Sequence, residues 1–458
     1  MHIYGLKVRA HAVNVALSAL LYVDDVCILA PDAASLQRNL TVYEKYARKW
    51  RYNLNPGKFH VVPFGKARTG DETWSVTDEH EGHIEFASEA TAEYLGAHLD
   101  KGRTGSAQAA KMVAKAKSQA PLLTRISHRL SEDVALMVKD VQVDASALYG
   151  AAASHLNNPS LLKLDTSITA TCLSRAHLMP RGARKELSLF ESETLWASSK
   201  ITLSQARLAM KLKSDPHPLR QDLLSHVEGA HGPAKSKMMF DRVNGLLKSV
   251  GAPPLAPSKS RKPKRKKTME KAKAFLLSQQ ACRLTSLLPL QPSRQGRGRG
   301  SASIFNALAS SYDTPCAYNE ASRLSLVTNA MHRKILKKIR TGQINCATER
   351  EKWCPGTSLA CPCGAPVQDA QHLLLECPTT AQSRSALYDT VRTAADKDPA
   401  LGRFLATSPN QDSVLLATLG SMIPGEPTPS EGRLSKALVA LAAPKWAQYY
   451  EDHLDFGN

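Results

Sequence analysis

No run of about 20 apolar residues, the length a helix needs to cross a bilayer, occurs anywhere in the 458 residues. The first residues also lack the charged flank, apolar core and small-residue cleavage site of a secretory signal. A soluble, intracellular protein with no membrane partner is expected. Cysteine is scarce, and nine unevenly spread residues cannot make a disulfide scaffold of this size. Acidic residues are missing altogether from positions 1 to 23, and overall 41 Asp plus Glu face 60 Lys plus Arg, leaving a formal charge of +19. That surplus favours a polyanionic partner, either nucleic acid or an anionic surface. No internal repeat is present.

What is there suffices to fold. Hydrophobic residues make up 43% of the chain, enough for real cores in two to four domains. Residues 1 to 100 mix short apolar runs with Gly/Pro punctuation and one amphipathic helix. Asp32 is its expected N-cap, Leu36, Leu40, Tyr43, Ala47 and Trp50 its apolar face, and Asn53 to Gly57 its end. From about 104 to 250 the texture is helical, with a segment opened by Ser131 whose expected face is Val134, Val138, Val141, Ala145 and Leu148. Strands are therefore expected only at the front. Residues 251 to 267 read as a basic linker, because Ser258 to Lys267 holds seven Lys/Arg and little to bury. A second flexible stretch, Gln291 to Gly300, ends in Arg-Gly-Arg-Gly. Helical texture returns at 318 to 340, and a last helix near 434 to 453 should be kinked or split by Pro444.

The sharpest local signal is Leu17 to Ala30, two apolar strand-like runs around Tyr22-Val23-Asp24-Asp25. It predicts a β-hairpin presenting two carboxylates. Adjacent acids followed by apolar residues repel one another and lose solvation, which a divalent cation offsets. Mg²⁺ suits such a pair, since it takes oxygen ligands from one or two carboxylates together with substrate phosphates. The plainer reading is a surface hairpin capped by two acids. Downstream lie Asn53-Leu54-Asn55-Pro56-Gly57-Lys58-Phe59, then Glu93-Tyr94-Leu95-Gly96-Ala97-His98-Leu99.

In that order and spacing these segments resemble the YxDD turn, the post-helix Asn/Lys motif and the YLG primer grip of reverse transcriptases. The resemblance implies Mg²⁺ ligation by Asp24 and Asp25, Tyr22 near the primer terminus, and Lys58 assisting proton transfer to pyrophosphate. Tyr94, Leu95 and Gly96 would form the primer grip. Lys58 as a solvated loop lysine and Leu95 as plain core remain open. The family also needs an earlier palm Asp and a Gly-Gln-rich template motif, and residues 1 to 23 hold neither. The chain alone is therefore expected not to polymerise DNA.

The second signal is Cys361-x-Cys363, eight residues, His372, four residues and Cys377. Three thiolates and an imidazole are the ligand set of a closed tetrahedral Zn²⁺ site, and Gly364 would permit the tight turn beside it. Cys-x-Cys is tighter than the usual Cys-x2-Cys, so Cys354 is held as a reserve ligand. The cluster resembles the knuckle downstream of the polymerase in non-LTR (LINE-type) retrotransposons. Arg333, Lys334, Lys337, Lys338 and Arg340 would add a basic helical face, and Lys264, Arg265, Lys266 and Lys267 a phosphate contact or nuclear localisation signal. A solvated face and an inert spacer are the bland alternatives.

The expected fold is α+β, mostly α. It comprises a partial reverse-transcriptase palm (1–100), a helical thumb (101–155), a helical connector (156–250), a basic linker region with one helix (251–303), a helical segment (304–350), a zinc knuckle (351–380) and a helical tail (381–458). RNA and DNA are the expected partners, in the nucleus or a cytoplasmic ribonucleoprotein. Function is expected to be that of a reverse-transcriptase fragment retaining nucleic-acid binding. The rivals are a retroelement-derived cellular RNA-binding protein, and a polymerase completed by a separate N-terminal half. Neither endonuclease nor ribonuclease H activity is expected, since the 458 residues show no endonuclease ahead of the hairpin and no ribonuclease H carboxylate set after the knuckle.

Overall fold

Among the described residues, period-two alternation at the front and helical periodicity behind it are realised as four two-stranded antiparallel sheets, all before residue 101, and a longer helical part. The computed structural model describes residues 6–10, 13–17, 19–23, 25–52, 54–64, 73–77, 83–102, 104–130, 132–178, 194–214, 234–252, 265–286, 346–369, 372–396, 399, 402, 403 and 406. The architecture is α+β with helix predominant. No described helix is long and apolar enough to cross a membrane. The predicted helices at 318 to 340 and 434 to 453 lie outside the described residues, as does Gln291 to Gly300. Two compact units emerge: Met1–Lys115 with Ser146–Asp165 and Ala197–Phe275, and Ala116–Ala145 with Thr166–Trp196 and Leu276–Asn458.

In the first unit β1 (Leu6–Ala10) pairs with β2 (Val13–Leu17), and β3 (Ala19–Tyr22) with β4 (Asp25–Ile28). Helix α1 (Ala33–Trp50) begins where Asp32 Oδ1 accepts the Ser35 N–H at 2.7 Å, satisfying one of the donors a helix start leaves open. It buries Leu40 against Trp74 and Val76 of β5 (Thr73–Thr77), with Ile28, Leu36, Phe59, Val61 and, from β6 (His83–Ala87), Ile84 and Phe86 around them. Gln37 fixes the register by donating to the Ser75 carbonyl at 2.9 Å and accepting the Ser75 N–H at 3.0 Å. Trp50, expected on the buried face, is instead 57% exposed. After Lys58 the chain makes a single parallel bridge between Val61 and Ser88.

The hairpin of β7 (Thr91–Tyr94) and β8 (Ala97–Asp100) turns through Leu95 and Gly96, both left-handed, at φ 49° and 77°. Two positive φ values make the tight hairpin turn that matches strand twist. Gly96 is required, because a Cβ there would lie 2.8 Å from the Tyr149 ring. Asp100 then accepts the backbone N–H groups of Thr104 and Gly105 at 2.9 and 2.8 Å, ordering the approach to α2 (Ser106–Arg129).

In the second unit α3 (Glu132–Val138) widens into a π-turn, Lys139–Asp144, before the short α4 (Ala145–Ala147). This corrects the expected face. Val141 is 71% exposed, whereas Glu132, Ala135, Lys139, Val143, Asp144 and Ala147 are buried. An i→i+5 turn inserts a residue and rotates the helix face, so 3.6-residue spacing stops locating the core. The buried charges are matched: Lys139 Nζ meets Asp144 at 2.8 Å and Asp140 at 3.2 Å, and His177 Nδ1 meets Glu132 at 2.6 Å. Removing one member of a buried pair strands the other in low dielectric. Asp144→Ala is therefore expected to destabilise the chain by about 3–5 kcal/mol in urea unfolding, with Lys139→Met/Asp144→Leu recovering most of the loss.

Candidate metal centre and carboxylate hairpin

After α4 the described helices are α5 (Asn158–Leu164), α6 (Thr171–Ala176), α7 (Ala197–Ser214), α8 (Ala234–Ser249), α9 (Arg265–Ser286) and α10 (Ala347–Trp353). Cys361 and Cys363 lie on a turn that follows α10, and the backbone of that turn closes on itself. The Cys361 N–H donates to the Ala365 carbonyl at 2.8 Å and the Gly364 N–H to the Cys361 carbonyl at 2.9 Å. Gly364 stands at φ 97°, a conformation side chains oppose. The other two ligands come from a π-turn, His372–Glu376, in which the Cys377 N–H reaches the His372 carbonyl at 2.7 Å. Five residues along an α-helix would leave the pair roughly 140° apart around the axis. One i→i+5 turn brings them to the same side.

Cys361, Cys363, His372 and Cys377 thus offer ligand atoms that all lie within 4.8 Å of one another. Sγ of Cys361 is 3.6 Å from Sγ of Cys377, and Sγ of Cys363 is 3.3 Å from Nε2 of His372. Tetrahedral zinc, with sulfur ligands at about 2.3 Å and nitrogen near 2.0 Å, requires separations of about 3.8 and 3.5 Å, so the two measured pairs fit. Both thiols of the tight Cys-x-Cys join the cluster. The reserve, Cys354, is exposed and outside it, and buried Cys346 instead contacts Thr348 Oγ1 at 3.1 Å. The group can hold a metal ion, and its donors are compatible with zinc.

Electrostatics favour a cation here. Burial opposes ionisation of Cys361, but hydrogen bonds from the Cys363 backbone and from Cys363, Gln368 and His372 outweigh it and bring its thiol down to about 6. At Cys377, burial is likewise outweighed, chiefly by Thr379, and the thiol is lowered. Cys363 is raised: a backbone hydrogen bond at Ala365 favours its thiolate, yet burial and the Cys361 and Cys377 sulfurs prevail. Three sulfurs this close resist ionising together unless positive charge gathers them. Burial disfavours charge on His372, but Cys361 and Cys377 raise it overall. Its Nδ1 lies 3.6 Å from Glu376, a carboxylate placed to orient the ring with Nε2 toward the sulfurs.

Gln368 carried no motif signal. It is buried, donates to Cys361 Sγ at 3.3 Å, and accepts from the Ala347 N–H at 3.2 Å and Arg350 at 3.3 Å, tying the cysteine turn to α10. Behind His372, Leu373 and Leu374 are buried, and the π-turn packs on α11 (Ala381–Ala395).

Asp24 lies outside the described residues. Asp25 is exposed and pairs with Tyr22 across the hairpin end, with Tyr22 61% and Val23 92% exposed. Burial therefore does not demand a cation at Asp25, which corrects the desolvation argument. Val23 has φ 55°, an uncommon state for a β-branched residue. Tyr94 lies within electrostatic reach of the hairpin: burial, then the charges of Cys27 and Asp25, raise its phenol. Leu95 is 37% exposed at its turn rather than core. Lys58 is exposed at the end of the Pro56–Lys58 turn. Of the basic run read as linker, Arg265, Lys266 and Lys267 open α9, with Lys266 and Lys267 exposed. Lys264, Arg333, Lys334, Lys337, Lys338 and Arg340 lie outside the described residues.

Comparison of the chain with known protein families, curated proteins and solved structures finds no match.

Cobalt titration of the reduced chain should give the visible spectrum of a thiolate-rich tetrahedral site at one equivalent, kept in Cys354→Ser and lost in Cys377→Ser. Affinity should fall as pH drops, because protons compete for the three thiolates and the imidazole. Gln368→Ala should weaken binding by roughly 10- to 100-fold through loss of ligand orientation.

Proposed function

We propose that this chain is the C-terminal portion of a non-LTR retrotransposon reverse transcriptase, and that by itself it acts as a zinc-dependent nucleic-acid-binding protein. The convergence of Cys361, Cys363, His372 and Cys377 carries the reading. Zn²⁺ is the metal this donor set suits best, and a closed four-ligand site orders a small fold rather than reacting. The formal charge of +19 suits RNA and DNA as partners, held through phosphates by exposed cations such as Lys266 and Lys267, with residence in the nucleus or a ribonucleoprotein.

At the hairpin, the left-handed Val23 supports a relation to the polymerase turn. Backbone strain of this kind gathers at functional sites. In that reading Asp24 and Asp25 supply carboxylates for Mg²⁺, which would offset the charge of transferring phosphates, Tyr22 meets the primer end, and Tyr94, Leu95 and Gly96 grip it. Transfer by two metal ions needs a further carboxylate that residues 1 to 23 do not provide. The exposure of Asp25 favours a second reading, a cellular RNA-binding protein in which both acids are idle.

Filter binding of a structured RNA should show affinity that chelation or Cys377→Ser lowers at least tenfold, and no Mg²⁺-dependent primer extension. Absence of RNA binding would sink the reading. Extension abolished by Asp25→Asn would show instead that the 458 residues form a complete polymerase.

A further inference from the structure

The end of α1 departs from the ordinary way a helix stops. The Tyr52 N–H bonds the Ala47 carbonyl at 2.9 Å and the Arg51 N–H bonds the Arg48 carbonyl at 3.2 Å, with Arg51 left-handed at φ 59°. This closing motif normally places glycine at the left-handed position, because a side chain there costs about 1–2 kcal/mol. Here the position carries a guanidinium, and the reversal folds Tyr52 back beside the last turn. Tyr46, Trp50 and Tyr52 make a cluster, with the Tyr46 ring 6.2 Å from Trp50 and 6.3 Å from Tyr52, tilted by 51° and 36°. All three remain more than half exposed, at 51%, 57% and 61%. The packing of the first unit does not use them: the buried face of α1 is Ser35, Asn39, Leu40 and Ala47.

The surrounding charge is one-sided. Lys45, Arg48, Lys49 and Arg51 are exposed along the same stretch of chain, and Lys49 Nζ lies 5.6 Å from the Trp50 centroid. The single acid within this turn, Glu44, is taken by Arg48 at 2.9 Å. Exposed rings spaced near two base-stacking steps, about 6.8 Å, among cations that meet phosphates are the ingredients of a single-strand platform. A duplex hides the base faces such rings require, and the net positive charge of this stretch matches a phosphate backbone.

We propose that Tyr46, Trp50 and Tyr52, with Lys49 and Arg51, form a sequence-tolerant binding site for single-stranded nucleic acid at the C-terminal end of α1. The site lies about 27 Å along the helix from the start that follows the carboxylate hairpin, and it uses no residue of the metal centre. It stands independently of the proposed function.

The test is fluorescence anisotropy of the full zinc-loaded chain with a labelled 12-nucleotide oligothymidylate. Trp50→Ala and Tyr52→Ala should each weaken binding by roughly 5- to 100-fold, the range of losing one stacked base. Lys49→Ala with Arg51→Ala should flatten the dependence of log affinity on log salt by about 1.4. Trp50→Phe should retain affinity while removing part of the quenching of tryptophan emission on binding, and the part that is lost locates the strand at the patch even if other sites also bind. Circular dichroism melting should be unchanged in the Trp50 variants. The proposal is overturned if Trp50→Ala binds the oligonucleotide as wild type does, if duplex of equal length competes as well as single strand, or if the same substitutions abolish binding to anionic phosphatidylserine vesicles but not to the oligonucleotide. Loss of binding on chelation, with no effect of Trp50→Ala, would leave the knuckle reading intact and remove this one.

Discussion

Repulsion among three sulfurs is the constraint on which the cysteine-rich segment depends. Cys361 and Cys377 are nearly inaccessible to solvent, so their thiolates cannot be relieved by water, and despite the backbone hydrogen bond at Ala365 the Cys363 thiol is pushed up by burial and the neighbouring sulfurs. The backbone has been shaped to bring them together regardless: a glycine-permitted turn on one side, a π-turn on the other, and a buried glutamine fastening the first to α10. Little of this arrangement is explained by apolar burial alone. Leu373, Leu374, Leu387 and Val391 cover one side of it, while the cysteine turn itself carries Pro362, Gly364 and Pro366, which bury almost nothing. Side chains that individually resist proximity make sense as a set if a cation supplies the missing attraction.

A second theme is where the chain accepts left-handed backbone without glycine. Val23, Arg51, Leu95 and Leu178 do so, the first three each at the tip or end of an exposed element and Leu178 buried. Such positions cost stability, and selection for folding alone would favour glycine or asparagine. At the three exposed positions stand a bare valine at a hairpin tip, a guanidinium among rings, and a leucine beside a tyrosine.

Much of the first unit was legible because its signals are local. Asp32 followed by apolar residues at three- and four-residue spacing defines α1, and paired short runs about Tyr22 to Asp25 and Tyr94 to Gly96 define two hairpins. The β5 and β6 hairpin was equally present in the alternation of Trp74 with Val76 and of Ile84 with Phe86, but its connection lacks the Gly/Asn turn pair that usually announces one. What local pattern does not reveal is a change of helical pitch. The π-turn after Val138 turned an apparently apolar stripe outward and carried Lys139 and Asp144 inward, and no periodicity rule anticipates a face that rotates midway. The metal ligands could be read from residue type and spacing, since chemistry limits who can serve. Gln368 could not, because a glutamine earns its place only through three-dimensional neighbours, and Trp50 misled because helical spacing says which residues share a side, not how far the core extends along it.

Gln108, only 1% exposed, holds two things at once: its Oε1 accepts the His98 N–H at 2.7 Å and its Nε2 donates to the Tyr149 carbonyl at 3.0 Å. Beside it Lys111 reaches the Gly96 carbonyl at 3.1 Å and Glu93, while the Tyr149 ring fills the space that a larger residue at 96 would need. One amide therefore acts as a rivet through the β7 and β8 hairpin, α2 and the turn at Tyr149. Lifting the hairpin breaks the His98 bond to Gln108 and the Lys111 bond to Gly96, while the Tyr149 bond stays with α2. Whatever rests on the tyrosine-leucine-glycine tip therefore inherits the positional accuracy of the helix beneath.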